Sequence, residues 1–398
     1  MSTRTRHRAP IDPALLEPVT RPLGRSRTLP GEAYTSETVL AWEREHFFEG
    51  SWVCAGRATS LSDAGDQAAV RVGEEGILLA RGDDGALRGF FNVCRHRGHE
   101  LLPCGARGVN RRAIRCPYHA WVYGLDGTLR SNPKFDELDA DDPVHDGLVA
   151  VRVEEWHGWV FVNASGDAPP LPEHLGPTLE HLLARYRPED LLPAATHTYE
   201  VAANWKSIVE NYHECYHCTQ IHPELCKVTP PDSGETYEPD GAWAGGSMVL
   251  MDHAETMSLT GRSGSEPLPG LPEDLRRYVH YVGLFPNLLV SAHPDYVMTH
   301  RLEALAPDRT FVECEWLFPR SALAGPGFDP SYAVDFWDLT NRQDWAACES
   351  VQRGLASRGY RQGPLSSAES AVHQFMCIVA NGYQSGVVAA PRTREPAG

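Results

Sequence analysis

The chain has 398 residues, too many for one small core, so two domains or one large one are expected. Its residues are 42% hydrophobic and 22% charged, an ordinary globular balance that argues against disorder, and its formal net charge of −17 argues against nucleic acid as a main partner while leaving room for a cationic substrate. No run approaches the ~20 apolar residues of a membrane span and no h-region follows the N-terminal arginines, which points to a soluble, cytoplasmic protein with no membrane partner.

Residues 1–34 read as an arm rich in Arg and Pro, without periodicity. The stretch "SETVLAWEREHFFEGSW" follows as an amphipathic helix with Ser36 as its N-cap. From about Gln67 the period shortens to that of strands, with "QAAVRV", "GILLAR" and "LRGFFNV" separated by Gly-Glu-Glu-Gly and Gly-Asp-Asp-Gly turns. "WVYGLDGTLR" reads as a further hairpin with Asp126-Gly127 at its tip. Together with the preceding helix, these runs predict an antiparallel β domain over residues 35–165. Beyond "GDAPPLPEHLG" the chain becomes mixed. Helical patterns cover 177–186, 205–219 and about 332–358, and "SMVLM", "YVGLFPNLLVSA" and "FVECEWLF" look like strands. Helices beside an antiparallel sheet predict an α+β second domain over 166–385, and 386–398 reads as a loose tail.

The ten cysteines do not make a disulfide framework, and in a reducing compartment most should be free thiols in cores. Those with chemistry should stand beside histidines. In the β domain Cys94 and His96 form C-x-H and Cys116 and His119 form C-x-x-H, with 19 residues between the pairs. A close ligand pair in each of two loops suits a centre gripped between hairpins. Two thiolates and two imidazoles can hold a [2Fe–2S] cluster, with cysteines on one iron and histidines on the other. Structural zinc is the competing reading, but "CPYHAW" differs from the helical histidine pair of a zinc finger.

The second constellation is "ENYHECYHCTQIH", residues 210–222. Read as a helix, it puts Glu214 and His217 on one face at i, i+3. His217 and His222 are five apart, about 140° around an ideal helix, and share a metal only if the helix ends or bends between them. Pro223 makes such an ending plausible. Two histidines and a carboxylate make the facial triad of non-heme Fe(II) oxygenases. Asp335, Asp338, Asp344 and Glu349 on the late helix are candidates for the third ligand. His213, four before His217, could face the same metal on geometry alone. Cys215 and Cys218 form C-x-x-C, but no second such motif or thioredoxin-like βαβ pattern accompanies them, so both read as buried helix cysteines.

"NVCRHRGHEL" with "CPYHAWVYGLDG" resembles the motif of the Rieske non-heme iron oxygenases, the ring-hydroxylating oxygenase α-subunit family, and "NWK…ENY…ECYH…H" with "TN-x-QD…E-x-VQ-x-GL" is similar to its catalytic motifs. The resemblance spans most of residues 35–385 and looks strongest to the branch acting on glycine betaine, stachydrine, choline and carnitine. It implies a helix-grip-like catalytic domain, a Rieske cluster on Cys94, His96, Cys116 and His119, and a mononuclear Fe(II) on His217, His222 and Asp344, with Asp338 as the runner-up. It leaves His213 to packing or to support of a ligand, and puts Asn211 in hydrogen-bonding range of the iron. Glu214 becomes the bridge that carries electrons between the two centres, across the interface of a homotrimer. A separate NAD(P)H-dependent reductase, flavin and iron–sulfur based, would supply the electrons, since no strand here leads into G-x-G-x-x-G opening a helix. The implied reaction uses O2 to hydroxylate a C–H bond, with N-demethylation of a quaternary or methylated amine as first reading and hydroxylation of an aromatic acid or other small molecule as the alternative. A bare Rieske electron carrier is the reading from a different class. Tyr237, Trp243, Tyr278, Tyr281, Phe285 and Tyr296 are candidate walls of a cation pocket.

Overall fold

The glycine- and aspartate-rich turns between residues 67 and 90 fold as tight hairpins in the computed structural model, which describes residues 7–110, 112–135 and 146–393. Two compact units emerge, one built from residues 44–168 and the other from residues 1–43 with 169–398. The first six residues of the expected arm and the last five of the expected tail lie outside the described residues. The helix Glu37–Glu43, expected to accompany the β domain, falls in the other unit. The reason is burial: Glu43 has no exposed side-chain surface and its carboxylate accepts from Lys206, Trp205 and Tyr383.

In the 44–168 unit the strands are β1 (Val53–Arg57), β2 (Asp66–Val72), β3 (Glu75–Arg81), β4 (Leu87–Phe91), β5 (Arg107–Val109), β6 (Ile114–Arg115), β7 (Val122–Tyr123), β8 (Leu129–Ser131), β9 (Ala150–Trp156) and β10 (Trp159–Asn163). Seven of them make an antiparallel sheet in the order β1-β10-β9-β4-β3-β2-β5, and β6-β7-β8 make a smaller one. The loop at residues 116–121 joins β6 to β7 of the small sheet, and the loop at 94–99 follows β4 and is closed by a bridge between Val93 and Glu100. Leu78, Phe90, Ile114, Trp121, Tyr123 and Leu148 form the core beneath those loops, and Cys94 and Cys116 are part of that core.

The second unit holds β11 (Leu191–Val201), β12 (Glu235–Thr236), β13 (Trp243–Val249), β14 (Tyr278–Leu284), β15 (Leu288–Ala292), β16 (Val297–Ala306) and β17 (Arg309–Pro319). They form one antiparallel sheet in the order β11-β17-β16-β15-β14-β13-β12. The run "YVGLFPNLLVSA" is two strands, β14 and β15, because Pro286 has no N–H to give to a ladder. Helices Trp205–Tyr212, Ser331–Leu355 and Ser370–Ser385 complete this unit. Ala333, Phe336, Trp337, Thr340, Trp345, Cys348 and Gln352 recur at helical spacing as the buried face of the longest of them. Among the described residues no helix is long and apolar enough to cross a membrane.

Candidate metal centres and the cavity beside one of them

The cluster-type ligands stand on two tight turns. In the first, the N–H of Gly98 donates to the Cys94 carbonyl at 3.0 Å and Gly98 adopts φ 71°, a conformation open to glycine at no steric cost. In the second, the N–H of Cys116 donates to Trp121 O at 2.9 Å. Cys94 and Cys116 are each 2% exposed, His96 is half-buried and His119 is exposed. The two imidazole centroids are 4.7 Å apart, and His96 stacks on Trp121 at 4.9 Å. Thiols buried and imidazoles outward is the asymmetry that a mixed thiolate–imidazole donor set would have around one cluster, so these residues fit it. Tyr123 is a neighbour that the motif did not single out. Its oxygen accepts the Arg95 N–H at 3.0 Å and lies 3.2 Å from Cys94 Sγ, a pair in which either atom can donate.

The second constellation departs from the expected helix. Helix Trp205–Tyr212 stops with His213 as its C-cap, and a new turn begins only at Cys218–Ile221. Glu214 explains part of the break, because its side chain takes the His217 N–H at 3.1 Å in place of a helical carbonyl. Cys215 and Cys218, expected as buried helix thiols, are instead joined as a disulfide across a Cα–Cα distance of 4.9 Å, and Cys215 is only half-buried. With no helix imposed on residues 213–217, the two cysteines can meet.

This irregular backbone turns His217 and His222 toward one point. Their Nε2 atoms are 3.2 Å apart, and Asp344 Oδ1 lies 2.9 Å from His222 Nε2 and 3.4 Å from His217 Nε2. The three donor groups lie within 4.8 Å of one another. Each histidine is oriented through its other nitrogen. His217 Nδ1 faces Glu214 Oε1 at 2.5 Å and His222 Nδ1 faces Gln343 Oε1 at 2.7 Å. With Nδ1–H donated to those oxygens, two imidazole lone pairs and a carboxylate are aimed at the same spot, an arrangement a cation satisfies. Burial opposes a charge on His217, yet Asp344 and Glu214 outweigh it and hold its pKa up at about 9.

The other acids of the late helix are elsewhere. Asp338 accepts from Tyr199 Oη at 2.6 Å and Arg342 Nε at 2.8 Å, and lies 3.3 Å from His197 Nδ1. Asp335 is exposed, and Glu349 accepts the Ala202 N–H at 3.2 Å.

A cavity of about 560 Å³ opens beside the triad, a size suited to a small molecule. Asn211 lines it. Of the six aromatic residues expected there, only Tyr281 does so. Trp243, Phe285 and Tyr296 are buried in packing, and Tyr237 Oη lies 2.5 Å from His280 Nδ1. Tyr212, Trp337 and the exposed Tyr216 also line the cavity, with the Tyr281 centroid 5.9 Å from Tyr212 and 6.3 Å from Trp337. Trp337 was legible in principle, since 337, 340 and 344 follow helical spacing and all three line the cavity. His213 also lines it, 8% exposed, with burial holding its pKa down at about 3.

Comparison with known proteins adds two family matches. The Rieske [2Fe-2S] domain matches residues 51–179, and the ring hydroxylating alpha subunit (catalytic domain) matches residues 188–385. The glycine betaine monooxygenase oxygenase subunit of Pseudomonas aeruginosa is 30% identical over 394 residues, covering 90% of this chain and 89% of the relative. The carnitine monooxygenase oxygenase subunit of Escherichia coli is 33% identical over 350 residues, covering 86% and 88%. Among solved structures, the quaternary ammonium Rieske monooxygenase CntA in complex with L-carnitine superposes with a TM-score of 0.76 at 28% identity, covering 94% of this chain and 99% of that one.

Proposed function

Because the chain belongs to the ring-hydroxylating oxygenase α-subunit family, whose members pair a Rieske [2Fe–2S] domain with a mononuclear-iron domain, we propose that this oxygenase removes an N-methyl group from a quaternary or methylated amine. Cys94, His96, Cys116 and His119 hold the cluster in this reading, and His217, His222 and Asp344 hold the iron. When bound, the cluster supplies electrons singly and the iron activates O2. The observation that carries the reading is the joint presence, in one cavity, of a convergent His217–His222–Asp344 donor set and an aromatic wall of Tyr212, Tyr281 and Trp337. Aromatic faces attract a desolvated ammonium group, and this wall would hold an N-methyl carbon beside the triad. Glu214 and Gln343 hold the two Nδ1 atoms, so it is the Nε2 atoms facing Asp344 that would bind the iron. Overall, O2, two electrons and two protons convert the N-methyl group to N-hydroxymethyl and water. That hemiaminal then breaks its C–N bond to give formaldehyde and the demethylated amine.

The electrons come from a separate reductase, which we take to be a flavin and iron–sulfur protein using NAD(P)H, in the cytoplasm. A homotrimer suits the exposure of His119 and the residual exposure of Glu214, which would let Glu214 of one chain face the cluster histidine of the next. Two measurements test the function. Iron analysis with EPR should find about three Fe per chain and a rhombic Rieske signal, where a bare electron carrier holds about two. With a reductase supplied, O2 uptake should be matched by formaldehyde when methylated amines are offered. Formaldehyde from none of them, with turnover of aromatic acids instead, would sink the demethylase reading.

A further inference from the structure

The C-x-x-C pair at 215 and 218 takes no part in the proposed reaction, yet it forms the one disulfide among the described residues. The bond closes a ring around Tyr216 and His217, and the Cys218 N–H donates to the Cys215 carbonyl at 3.1 Å across the same turn. Cys218 Sγ lies 3.9 Å from His217 Nε2, the nitrogen that faces Asp344. On its other side, the Cys218 carbonyl accepts the His222 N–H at 2.9 Å and the Cys226 thiol at 3.4 Å. Cys218 thus stands between the two histidines of the triad, beside the ring of one and bonded to the backbone of the other.

Residues 213–217 belong to no helix, so no ladder of backbone bonds fixes the position of His217. Its hold on the upstream side is Glu214, through the N–H and Nδ1, together with the closed ring. A cross-link of this kind removes alternative conformations, and opening it returns them to the segment. The bond is also within reach of a small reagent. Both cysteines line the cavity, and Cys215 is half-buried where Cys218 is 3% exposed. Attack by a thiolate needs access to one sulfur, and C-x-x-C disulfides are commonly poised near the cellular thiol buffers.

We propose that Cys215 and Cys218 are a reversible dithiol–disulfide site, exchanging with a small dithiol that enters through the cavity, and that the closed form holds His217 in its iron-binding position. The positioning role rests on the iron reading of the triad. In the exchange a thiolate of the dithiol attacks Cys215 Sγ, the S–S bond breaks, and its electron pair leaves with Cys218 Sγ, which takes up a proton. The second thiol of the reagent then attacks its own mixed-disulfide sulfur and displaces Cys215 as a thiol. Protein disulfide and free dithiol become protein dithiol and a cyclic disulfide, so atoms and electrons balance. Opening leaves His217 with noncovalent restraints alone. An oxidising poise therefore retains the iron, and a reducing one lets it exchange.

The test equilibrates the holoenzyme, without oxygen, in mixtures of reduced and oxidised dithiothreitol, then alkylates it and maps the peptide carrying residues 215 and 218. The two thiols should appear together as the mixture becomes reducing. In parallel a ferrous chelator is added and the loss of mononuclear iron is timed, with the Rieske EPR signal as internal reference. Iron should leave the reduced form about tenfold faster than the oxidised form, with the Rieske signal equal in both. Cys215→Ser should lose iron at the reduced rate in every mixture, and Cys226→Ser should keep the parent's redox dependence. Thiols at 215 and 218 that alkylate in every mixture, equal iron loss from both forms, or a redox dependence that persists in Cys215→Ser each overturn the proposal. The parent protein is compared with itself, so the result stands even if Cys215→Ser does not fold. A triad holding no iron in either form overturns the iron reading and the positioning role with it, while the alkylation pattern still decides the couple.

Discussion

Lys206 Nζ donates to Glu43 Oε1 at 2.6 Å, and neither side chain has any exposed surface. Burial pulls the Lys206 ammonium below its ordinary pKa while Glu43 pushes back, and the indole of Trp205, 4.9 Å from Nζ, adds a cation–π contact. Removing one partner of such a pair strands the other. Lys206→Met should destabilise the unit by about 3–5 kcal/mol, whereas Lys206→Met with Glu43→Gln should recover most of that. Urea midpoints of the two variants decide it; a single-variant loss below ~1 kcal/mol would mean the pair is poorly formed.

The carboxylates at 338 and 344 have separate fates. Asp344→Ala should reduce iron from about three to about two atoms per chain and leave the Rieske EPR signal intact. Asp338→Ala should keep all three and cost only what its bonds to Tyr199 and Arg342 contribute. Loss of iron from the 338 variant alone would reverse the assignment.

Glu214 touches His217 twice, at the backbone N–H and at Nδ1. Glu214→Gln keeps the volume and removes the charge. Turnover should fall about 10–100-fold. In an electron-bridging role the reduced cluster should also linger when substrate and O2 are mixed in, which stopped-flow absorbance records. Normal reoxidation with slow turnover would limit Glu214 to orienting the ring.

Tyr123 Oη lies 3.2 Å from Cys94 Sγ, and a cluster-bound thiolate there could only accept its proton. A donor to a cluster sulfur favours the reduced, more negative state. Tyr123→Phe should therefore lower the reduction potential, by on the order of tens of millivolts, with iron content unchanged. Protein-film voltammetry measures this, and an unchanged potential would mean the proton points elsewhere.

Acid should weaken the catalytic unit. Burial holds His174, His280 and His300 down at about 4 and His213 and His293 down at about 3. As pH falls below 6.5 the unfolded chain binds protons at these rings and the folded chain does not, so stability is lost between pH 6.5 and about 4. Each ring contributes roughly 1.4 kcal/mol per pH unit inside that window. Burial acts oppositely on Glu210, raised to about 8 despite the Tyr34 hydroxyl and Lys206, so the folded chain holds an extra proton there and stability falls as pH rises from about 4.5 to 8. His373 is lowered by burial as well, and Asp295 and Glu369 are raised by it, so six rings against three carboxyls leave the net slope positive below pH 6.5. Calorimetry at pH 5 and 6.5 should find the lower melting temperature at pH 5, and the reverse order would contradict it.

The parts of this fold that are legible in the sequence are local. The turns at 73–76 and 82–85 sit between runs of strand period, and their hairpins close across two and five residues. The helix expected over 205–219 is less legible, because its end depends on a side chain, Glu214, taking a backbone donor at 217. Three aspartates and a glutamate lie along the late helix, and spacing alone does not rank them. Only the rotation that buries Trp337 and Thr340 brings 344 around, with 338 about 120° away around the helix. The cavity wall was the least legible part, since Tyr212, Tyr281 and Trp337 come from a helix, a strand and another helix that meet only in three dimensions.

The catalytic unit is discontinuous in the chain, and its two ends are tied together. Ala9 N–H donates to Tyr383 O at 2.8 Å, Trp42 packs edge-on to Tyr383 at 5.6 Å, and the Tyr383 hydroxyl donates to Glu43. During synthesis the first forty residues must therefore wait for the last helix, Ser370–Ser385, to leave the ribosome. The unit at 44–168 is contiguous and can close while the remainder is still being translated. The proposed cofactor loading acquires an order from this: the cysteine–histidine loops exist before residue 344 has been made, so a cluster held there could be inserted before the proposed iron site is complete.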